Sequence, residues 1–355
     1  MFVWAAKLLL FLCMCKKSAN FAVYMTSCSI HSCKRCFGFF AGLLVLLLLL
    51  VVLDMCCGSI WISPLSWKHL SPIHSQILLQ LRLPKTLTAL LAGAALSVAG
   101  LMMQTLFRNP LAGPYILGVS SGASLGVAFL TLCSTALLGM MGVSPLGMAM
   151  SAIVGSTLVL LLVMVVAKRV RSNVSLLIVG MMIGSIAGAL VNLLQNFANP
   201  DALKVFIVWT LGSLSGVGWH EVPILAGVLL VGFVLVLLLL KPLNGLLLGE
   251  DYARGLGINI ERVRLLLVLA TGLLAGGVTA FCGPIAFVGV AVPHIARGLL
   301  GSSNHRWTVP MSALVGADLL LICDVLCNIW TYPLPISTMS ALFGAPIIIW
   351  IVMKK

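Results

Sequence analysis

Residues 82–113 read RLPKTLTALLAGAALSVAGLMMQTLFRNPLAG, and this stretch decides what kind of fold the chain can adopt. Between Lys85 and Arg108 it holds no charged residue. A run of that length can cross a bilayer, whose ~30 Å hydrocarbon core needs about 20 helical residues. Pro84 suits the first turn of a helix, and Asn109-Pro110 is typical of a tight turn that follows one. The stretch therefore predicts a membrane-spanning helix with cations at both ends.

The composition indicates that the rest of the chain is built in the same way. Hydrophobic residues make up 61% of the chain and charged residues 8%, which excludes a soluble globular domain. Apolar runs of spanning length must be helices, because unpaired backbone amides are costly in lipid. We predict an all-α, polytopic membrane protein whose ten spans are 37–57, 83–107, 114–133, 146–167, 174–197, 222–240, 263–282, 284–301, 310–330 and 335–353.

The basic residues predict the orientation of these spans. With the N-terminus inside, 17 of the 21 Lys and Arg residues fall in inner segments, and the other four, Lys68, Arg82, Lys85 and Lys204, fall in outer ones. The positive-inside rule then places both termini in the cytoplasm. This distribution also explains the net charge of +13 without a nucleic-acid surface, which would need cations clustered on one face of a soluble module.

Residues 1–36 differ from the ten-helix membrane domain, which we assign to residues 37–355. We interpret them as a dispensable N-terminal extension. A signal peptide is one alternative, although no small-residue cleavage site is evident. A zinc site formed by His31 and the three cysteines nearby is another, although no folded scaffold surrounds them. The remaining cysteines are interpreted as small hydrophobic residues, so no metal site and no disulfide framework are predicted.

Small residues recur at helix-packing spacing in two predicted spans, four residues apart, which predicts close approach of helices. These glycines are Gly118, Gly122 and Gly126 in the third span, and Gly180, Gly184 and Gly188 in the fifth. The stripe in the fifth span continues into Asn192, Gln195 and Asn196. Polar amides in a span face protein or a water-filled cavity, so these three either bond a neighbouring helix or line a pathway.

A second stretch completes a pattern with the first. Residues 283–297 read GPIAFVGVAVPHIAR, and they follow Gln104, Arg108-Asn-Pro-Leu-Ala112 and Gly118-Val-Ser-Ser-Gly122. In this order, and within so apolar a chain, these motifs resemble the permease subunits of binding-protein-dependent ABC importers for iron-siderophores, haem and cobalamin, the FecCD family. The resemblance covers about residues 60–353. It implies two five-helix halves of opposite topology, of which Gly113-Pro114 and Gly283-Pro284 are a weak internal echo.

The resemblance also implies roles for particular residues. On the outer face, Arg82 and Lys85 would dock the acidic residues of a periplasmic substrate-binding protein, with interfacial snorkelling as the alternative. On the inner face, residues of two turns would form the gate of the pathway. They are Asn109 and Leu111 in one turn, and Asn173 and Ser175 in the other. The fifth helix lines the pathway in this family, which gives Asn192, Gln195 and Asn196 that role here.

The longest polar inner segment, residues 249–264, lies between the sixth and seventh predicted spans. Its glycines predict two short helices broken at Gly255 and Gly257; the plain alternative is a solvated loop. In the resembled family this segment is the coupling element that contacts the ATPase subunit and converts its closure into helix movement. The implied coupling residues are Gly249, Glu250, Asp251, Ala253, Leu256 and Gly257.

The implied function is that of the transmembrane permease subunit of an ATP-driven importer in a bacterial inner membrane. Cargo, most often an iron-siderophore complex in this family, with haem and cobalamin as alternatives, would pass from the binding protein to the cytoplasm. The implied partners are cytoplasmic ATPase subunits, the binding protein, a second copy or a paralogous permease, and membrane lipid. We expect no cofactor on this chain, because it has no G-x-x-x-x-G-K-[ST] loop, and ATP and Mg would bind the partner ATPase.

Four positions deserve separate expectations. Asn328 stands where the family tends to carry an Arg, and Pro333 where it carries a Glu, which leaves the second outer docking contact open. His294 is expected to be a structural hydrogen-bonding residue rather than a metal ligand, since no second ligand stands at suitable spacing. Asp318 is an acid in mid-span, which we expect to be protonated, hydrogen-bonded and without a role in transport.

Two rival functions follow from single features of the sequence. A secondary transporter driven by an ion gradient would use Asp318 to hold its coupling ion near the bilayer midplane. An intramembrane serine protease is suggested by Gly118-x-Ser120-x-Gly122, but that pattern needs a sharp strand-to-helix turn. Helix packing explains these glycines better.

Overall fold

The computed structural model describes residues 30–58, 60–63, 71–133, 144–170, 172–330 and 334–353. The chain divides into two compact units, Met1–Gly42 and Leu43–Lys355. Of the first unit the structure describes residues 30–42, which are helical. The cysteine cluster near the N-terminus and Pro333 lie outside the described side chains, so the predictions made for them stay predictions.

The described part of the chain is helical and contains no strand. In chain order the helices are α1 (Ile30–Cys56), α2 (Pro72–Gln76), α3 (Leu83–Phe107), α4 (Val119–Ala128), α5 (Pro145–Ala167), α6 (Asn173–Asn196), α7 (Pro200–Thr210), α8 (Glu221–Leu248), α9 (Glu250–Gly255), α10 (Ile260–Cys282), α11 (Val288–Leu300), α12 (His305–Ile329) and α13 (Ile336–Met353). A π-helical segment, Ile77–Arg82, joins α2 to α3, and another, Phe129–Cys133, extends α4.

The apolar helices coincide with the predicted spans. Seven helical segments are long and apolar enough to cross a membrane: Phe37–Cys56, Pro72–Phe107, Pro145–Arg169, Asn173–Asn196, Glu221–Leu248, Ile260–Cys282 and His305–Ile329. Three shorter apolar helices, Val119–Cys133, Val288–Leu300 and Ile336–Ile349, fall on the other three predicted spans. The prediction of an all-α membrane protein with about ten spans is confirmed.

Helix α3 is the central helix of the unit Leu43–Lys355. The most apolar part of Pro72–Phe107 is 83% buried, whereas that of α6 is 22% buried. Helix α3 packs against α8, α10, α11 and α12. Its closest approaches occur at glycine pairs: Gly93 meets Gly316 of α12, and Gly100 meets Gly289 of α11, with no room for a Cβ. Such backbone contact holds helices together in lipid, where apolar side chains gain nothing by burial.

Two elements differ from the sequence prediction. The coupling segment forms one short helix, α9, and not two. Gly257 takes a left-handed φ of +80°, and the Asn259 side chain accepts a hydrogen bond from the Arg262 amide, 3.1 Å away, and so caps α10. The residues after this turn therefore belong to α10. Helix α7 was not predicted, because its 11 residues are too few to be recognised as a span.

Candidate functional site

Arg82, a predicted docking residue, is directed towards its own chain. Its guanidinium donates hydrogen bonds to the carbonyl oxygens of Met55 at 2.8 Å, Cys56 at 2.9 Å and Ile60 at 2.5 Å. The last carbonyl groups of a helix lack an intrahelical partner, and a cation there also meets the negative end of the helix dipole. Arg82 therefore caps the C-terminal end of α1, and it is only 9% exposed.

Lys85 also has internal partners. Its ammonium group lies 2.9 Å from Asp324 Oδ1 and donates a hydrogen bond to Asn328 Oδ1 at 2.9 Å. On the adjacent residue, Thr86 Oγ1 donates to Asp54 Oδ2 at 2.5 Å. Asp54 and Asp324 are both buried. These five residues, called the Lys85 cluster below, join the ends of α1, α3 and α12.

These contacts bear on the predicted docking surface. Docking of a binding protein at Arg82 and Lys85 stays a prediction, but neither residue presents an unpaired cation. The departure at position 328 has a physical reason in this chain, because an amide oxygen accepts from Lys85 where an Arg would place a second cation beside it. Sequence reasoning missed Asp54 and Thr86. The signal was a lone acid at the end of the first predicted span, where a charge needs a partner.

The two turns of the sequence echo, at Gly113-Pro114 and at Gly283-Pro284, contact each other. Tyr115 Oη, in the 3-10 turn Pro114–Leu117, donates to the Ile285 carbonyl oxygen at 2.5 Å. A Cβ at Gly289 would lie 2.6 Å from Pro114 Cδ, so that glycine is needed for the contact. Both turns lead into their helices through a left-handed residue, Gly118 at φ +72° and Phe287 at φ +64°.

The glycines of the third and fifth predicted spans fall into three groups. Gly122 and Gly126 face α5, where a Cβ at Gly122 would lie 2.7 Å from the Gly155 carbonyl oxygen. Gly118, Gly180 and Gly184 lie together where α4 meets α6, and they line a cleft of about 320 Å³. Gly188 stands apart, with no heavy atom within 4 Å of where its Cβ would be.

The three amides of the fifth predicted span lie at one end of α6. Asn192 and Asn196 are exposed and Gln195 is half-buried. Their side chains make no hydrogen bond to any described residue, so the first alternative, bonding to a neighbouring helix of the same chain, is not seen. Their placement on an exposed face leaves them available to water or to a second subunit.

The two predicted gate turns lie at the end of α3 that carries Arg108. Asn109 Oδ1 accepts from the Leu111 amide at 2.9 Å, which fixes the first turn and leaves the Leu111 side chain 47% exposed. In the second turn the Ser172 hydroxyl accepts from the Ser175 amide at 3.2 Å and caps α6. Asn173 Nδ2 donates to the Leu106 carbonyl oxygen at 2.7 Å, so the second turn is attached to the end of α3.

The predicted coupling segment divides into an inner and an outer face. Ala253 is fully buried and Glu250 is 25% exposed, with Oε1 accepting a hydrogen bond from Asn173 Nδ2. Asp251, Leu256 and Gly257 are exposed. Gly249 has φ +123°, and a Cβ there would lie 2.9 Å from Arg108 Nη2. The segment is therefore in contact with residues of both predicted gate turns.

The residues of the Val292-Pro-His-Ile-Ala-Arg297 motif have structural partners. His294 Nε2 donates to the Pro110 carbonyl oxygen at 2.8 Å, in agreement with the expected hydrogen-bonding role. Arg297 donates to Gln104 Oε1, and Gln104 Nε2 donates to the Val290 carbonyl oxygen at 3.0 Å. Among the described side chains, no group of three or more His, Cys, Asp or Glu residues is placed to hold a metal ion.

Asp318 departs from its expected environment. It lies in α12 and is buried, as expected, but neither carboxyl oxygen has a hydrogen-bond partner within the described ranges. The expectation of a hydrogen-bonded Asp318 is therefore wrong. The residues one turn away from it along α12 are Leu314, Val315, Leu321 and Ile322, whose apolar side chains cannot donate hydrogen bonds.

Comparison with known proteins decides the family. The model of the FecCD transport family matches residues 46–354, nearly the whole membrane domain. This chain belongs to the FecCD transport family. The vitamin B12 import system permease protein BtuC of Escherichia coli is 38% identical over 316 residues, which cover 87% of this chain and 93% of that protein. The protein of the same name from Citrobacter koseri is 38% identical over 317 residues, covering 89% and 94%.

A solved structure agrees with the sequence relatives. It is described as an inward-facing conformation of a metal-chelate type ABC transporter, and it superposes with a TM-score of 0.80 at 31% identity, covering 90% of this chain and 99% of that one. The chain is thus the permease of an ABC importer of the FecCD and BtuC type, a multi-pass membrane protein and not an enzyme. Ser120, the residue that suggested a protease, lies in the first turn of α4.

Proposed function

We propose that this chain moves a metal chelate, cobalamin in the first place, from a periplasmic binding protein to the cytoplasm as part of an ATP-driven importer. The observation that carries the proposal is the 38% identity, over 87% of the chain, to a permease named for vitamin B12 import. The solved neighbour, described as a metal-chelate type transporter, supports the same class of cargo. Ferric siderophores and haem, which the motifs also suggested, are the alternative cargoes.

In this proposal the Arg108 end of α3 faces the cytoplasm and the Lys85 end faces the periplasm. The orientation is supported by the 17 basic residues in the predicted inner segments, against four in the outer ones. Both termini are then cytoplasmic. The ATPase subunits, which carry ATP and Mg, contact the exposed face of α9 on the cytoplasmic side. The binding protein docks at the opposite end of α3, near Arg82 and Lys85. This chain carries no cofactor of its own.

A second permease subunit, either another copy of this chain or a paralogue, completes the pathway in the proposed importer. Helix α6 supports this arrangement, because its spanning part is only 22% buried. Lipid accepts exposed apolar side chains such as Ile186, but it solvates the amides of Asn192 and Asn196 poorly. A face with both kinds of residue fits a subunit interface that borders a wet pathway.

The test is uptake in a strain that lacks its own permease and is complemented with this chain, its ATPase and its binding protein. Labelled cobalamin, a ferric siderophore and haem are offered in parallel. The matched control carries an ATPase whose phosphate-loop Lys is replaced, so that the complex assembles without hydrolysis. We expect cobalamin uptake that stops in this control.

The other outcomes separate the parts of the proposal. Uptake of a ferric siderophore or haem that still needs the ATPase would retain the importer and change its cargo. Uptake that survives ATPase inactivation would contradict the importer and support an ion-coupled transporter with Asp318 as the coupling residue.

A further inference from the structure

The carboxylate of Glu250 lies on the face of α9 that points into the protein. Within this six-residue helix, Ala253 is fully buried and Glu250 is 25% exposed, while Asp251, Tyr252 and Arg254 are exposed. The Tyr252 residue, for example, is 67% exposed. An ATPase subunit that contacts α9 therefore meets these exposed side chains first, and Glu250 Oε1 is already occupied by partners within the chain.

Those partners come from two other segments. Asn173 Nδ2, at the start of α6, donates both to Glu250 Oε1 and to the Leu106 carbonyl oxygen at the end of α3. Arg264 Nη2, in α10, lies 3.7 Å from the same Oε1 atom, and its Nη1 donates to the Val170 carbonyl oxygen at 2.8 Å. One carboxylate oxygen thus joins α9 to α10 and to the turn before α6, and through Asn173 to the end of α3.

The first gate turn is attached at the residue before Glu250. Arg108 closes α3 in a left-handed conformation at φ +47°. Its Nη2 donates to the Leu246 carbonyl oxygen at 3.4 Å and lies over Gly249, directly before Glu250. Both gate turns therefore contact the coupling segment within two consecutive residues, Gly249 from one side and Glu250 from the other.

The energetics favour Glu250 as the stronger of these two attachments. Hydrogen bonds to an ionised group are roughly twice as strong as neutral ones. The Arg264 side chain is 4% exposed, and the Glu250 carboxylate at 3.7 Å compensates its charge. The contact of Arg108 is long and lies at the surface, which makes it weak.

We propose that Glu250 is a positioning residue that transmits movement of α9 to Val170, to the turn 172–175 and to the end of α3, and that it is not part of the ATPase-contacting surface. This inference rests on the proposed function, in which the ATPase binds α9. Loss of the carboxylate leaves the exposed face of α9 in place, so the ATPase still binds and hydrolyses ATP. Movement of α9 then no longer moves the gate turns together, and hydrolysis proceeds with less transport.

The test uses the complete importer, reconstituted in proteoliposomes with its ATPase and binding protein. ATP hydrolysis and cargo uptake are measured on the same preparation, and co-purification of the ATPase is measured separately. For Glu250→Gln we expect unchanged co-purification and hydrolysis, and a fall of about tenfold in cargo taken up per ATP, as for a lost coupling interaction. Glu261→Gln is the matched control, the same acid-to-amide change at an exposed position in the first turn of α10, and it should leave the ratio unchanged.

Exchanging the amide and the carboxylate between positions 173 and 250 distinguishes loss of this contact from misfolding of the variant. Asn173→Asp places a second carboxylate against Glu250 and should also lower the ratio. Combined with Glu250→Gln, it restores an amide–carboxylate pair of opposite direction and keeps an anion near Arg264, so the double variant should regain part of the coupling. The contact with the Leu106 carbonyl oxygen stays lost, because a carboxylate at position 173 cannot donate a hydrogen bond.

Three results would overturn the inference. They are an unchanged ratio in Glu250→Gln, loss of ATPase co-purification in that variant, and a double variant no better than either single one. Loss of co-purification would assign Glu250 to the ATPase surface instead. Failure of the proposed function is recognised separately, because the unaltered importer would then take up cargo without ATP or fail to bind the ATPase at all.

Discussion

The charged clusters at the two ends of α3 differ in how deeply their charged groups are buried. At the Lys85 end, Asp54 and Asp324 are 3% and 2% exposed, and their partners sit on long helices. At the Arg108 end, Glu250 is 25% exposed and Arg108 is exposed; Glu250 belongs to the six-residue helix α9, and its partners are the first residue of α6 and Arg264 in α10. Charge pairs between long buried helices fix the helices that carry them, whereas a pair that attaches a short, partly exposed helix can rearrange when that helix moves.

This difference indicates that the helices are fixed relative to one another at the Lys85 end of α3 and can move at the Arg108 end. Three long helices, α1, α3 and α12, share the Lys85 cluster, so displacing one of them would separate buried charges. At the other end, Gly249 and Gly257 take φ angles of +123° and +80°, and these glycines let the backbone turn on both sides of α9. We therefore expect variants at the Lys85 end to affect stability first, and variants at the Arg108 end to affect coupling first.

The largest effect on the free energy of unfolding is expected for Lys85→Met. Removing the ammonium leaves the buried Asp324 without its cation, and breaking a buried pair in this way costs ~3–5 kcal/mol. The free energy of unfolding of the purified permease in detergent measures this loss.

The control for this variant removes both charges of the pair. Lys85→Met combined with Asp324→Leu replaces the pair by apolar side chains of similar size, which is often close to neutral. The double variant should regain most of the lost stability. If Lys85→Met were as stable as the parent protein, the Lys85 cluster would not hold the helices together.

A second prediction concerns the close packing of α3, the helix that connects the two ends. A Cβ at Gly100 would coincide with the Gly289 backbone, so Gly100→Ala must push α3 and α11 apart. We expect a loss of ~1–3 kcal/mol, as for other overpacked interiors. Gly188→Ala is the matched control, because its Cβ would meet nothing within 4 Å, and it should gain up to ~1 kcal/mol from helix propensity.

The stability measurement should be made on the isolated subunit and on the assembled importer. Equal stabilities of the Gly100→Ala and Gly188→Ala variants would contradict the close packing of α3. If Gly188→Ala weakened only the assembled importer, a second permease subunit would cover that face of α6.

Much of the fold could be predicted from the sequence, because spanning helices are set by local hydropathy and length. The ten apolar runs appear as helices, and the polar segment at 249–264 holds the short helix α9 and the start of α10. Helix α7 was not predicted, because a search for membrane spans ignores short helices. Its start at Asn199-Pro200 was a usable signal, since Pro favours the first position of a helix.

The partners of the charged residues could not be predicted, because they are distant in sequence. Asn328 lies 243 residues after Lys85, and Glu250 lies 77 residues after Asn173. A cation near the end of a span looks the same in the sequence whether it docks a partner protein or compensates a buried acid. The motifs placed a helix start at Pro84, whereas helical turns run without a gap from Pro72 to Phe107, so that prediction of the start was wrong. Only the packing of α1 and α12 shows which way the Arg82 and Lys85 side chains turn.

The smallest predicted effect, at Arg108, separates stability from coupling within one residue. Arg108 closes α3 at φ +47°, a conformation that costs a non-glycine residue ~1 kcal/mol and that glycine adopts freely. Arg108→Gly should therefore keep or raise the free energy of unfolding by ~0.5–1 kcal/mol. It also removes the weak contact with Leu246 and the cover over Gly249, so uptake per ATP should fall by about two- to fivefold, less than for Glu250→Gln. Arg108→Lys keeps a cation in reach of the same carbonyl and should change neither quantity. A glycine variant that lost stability along with coupling would place Arg108 among residues that hold the fold, and the contrast between the two ends of α3 would disappear.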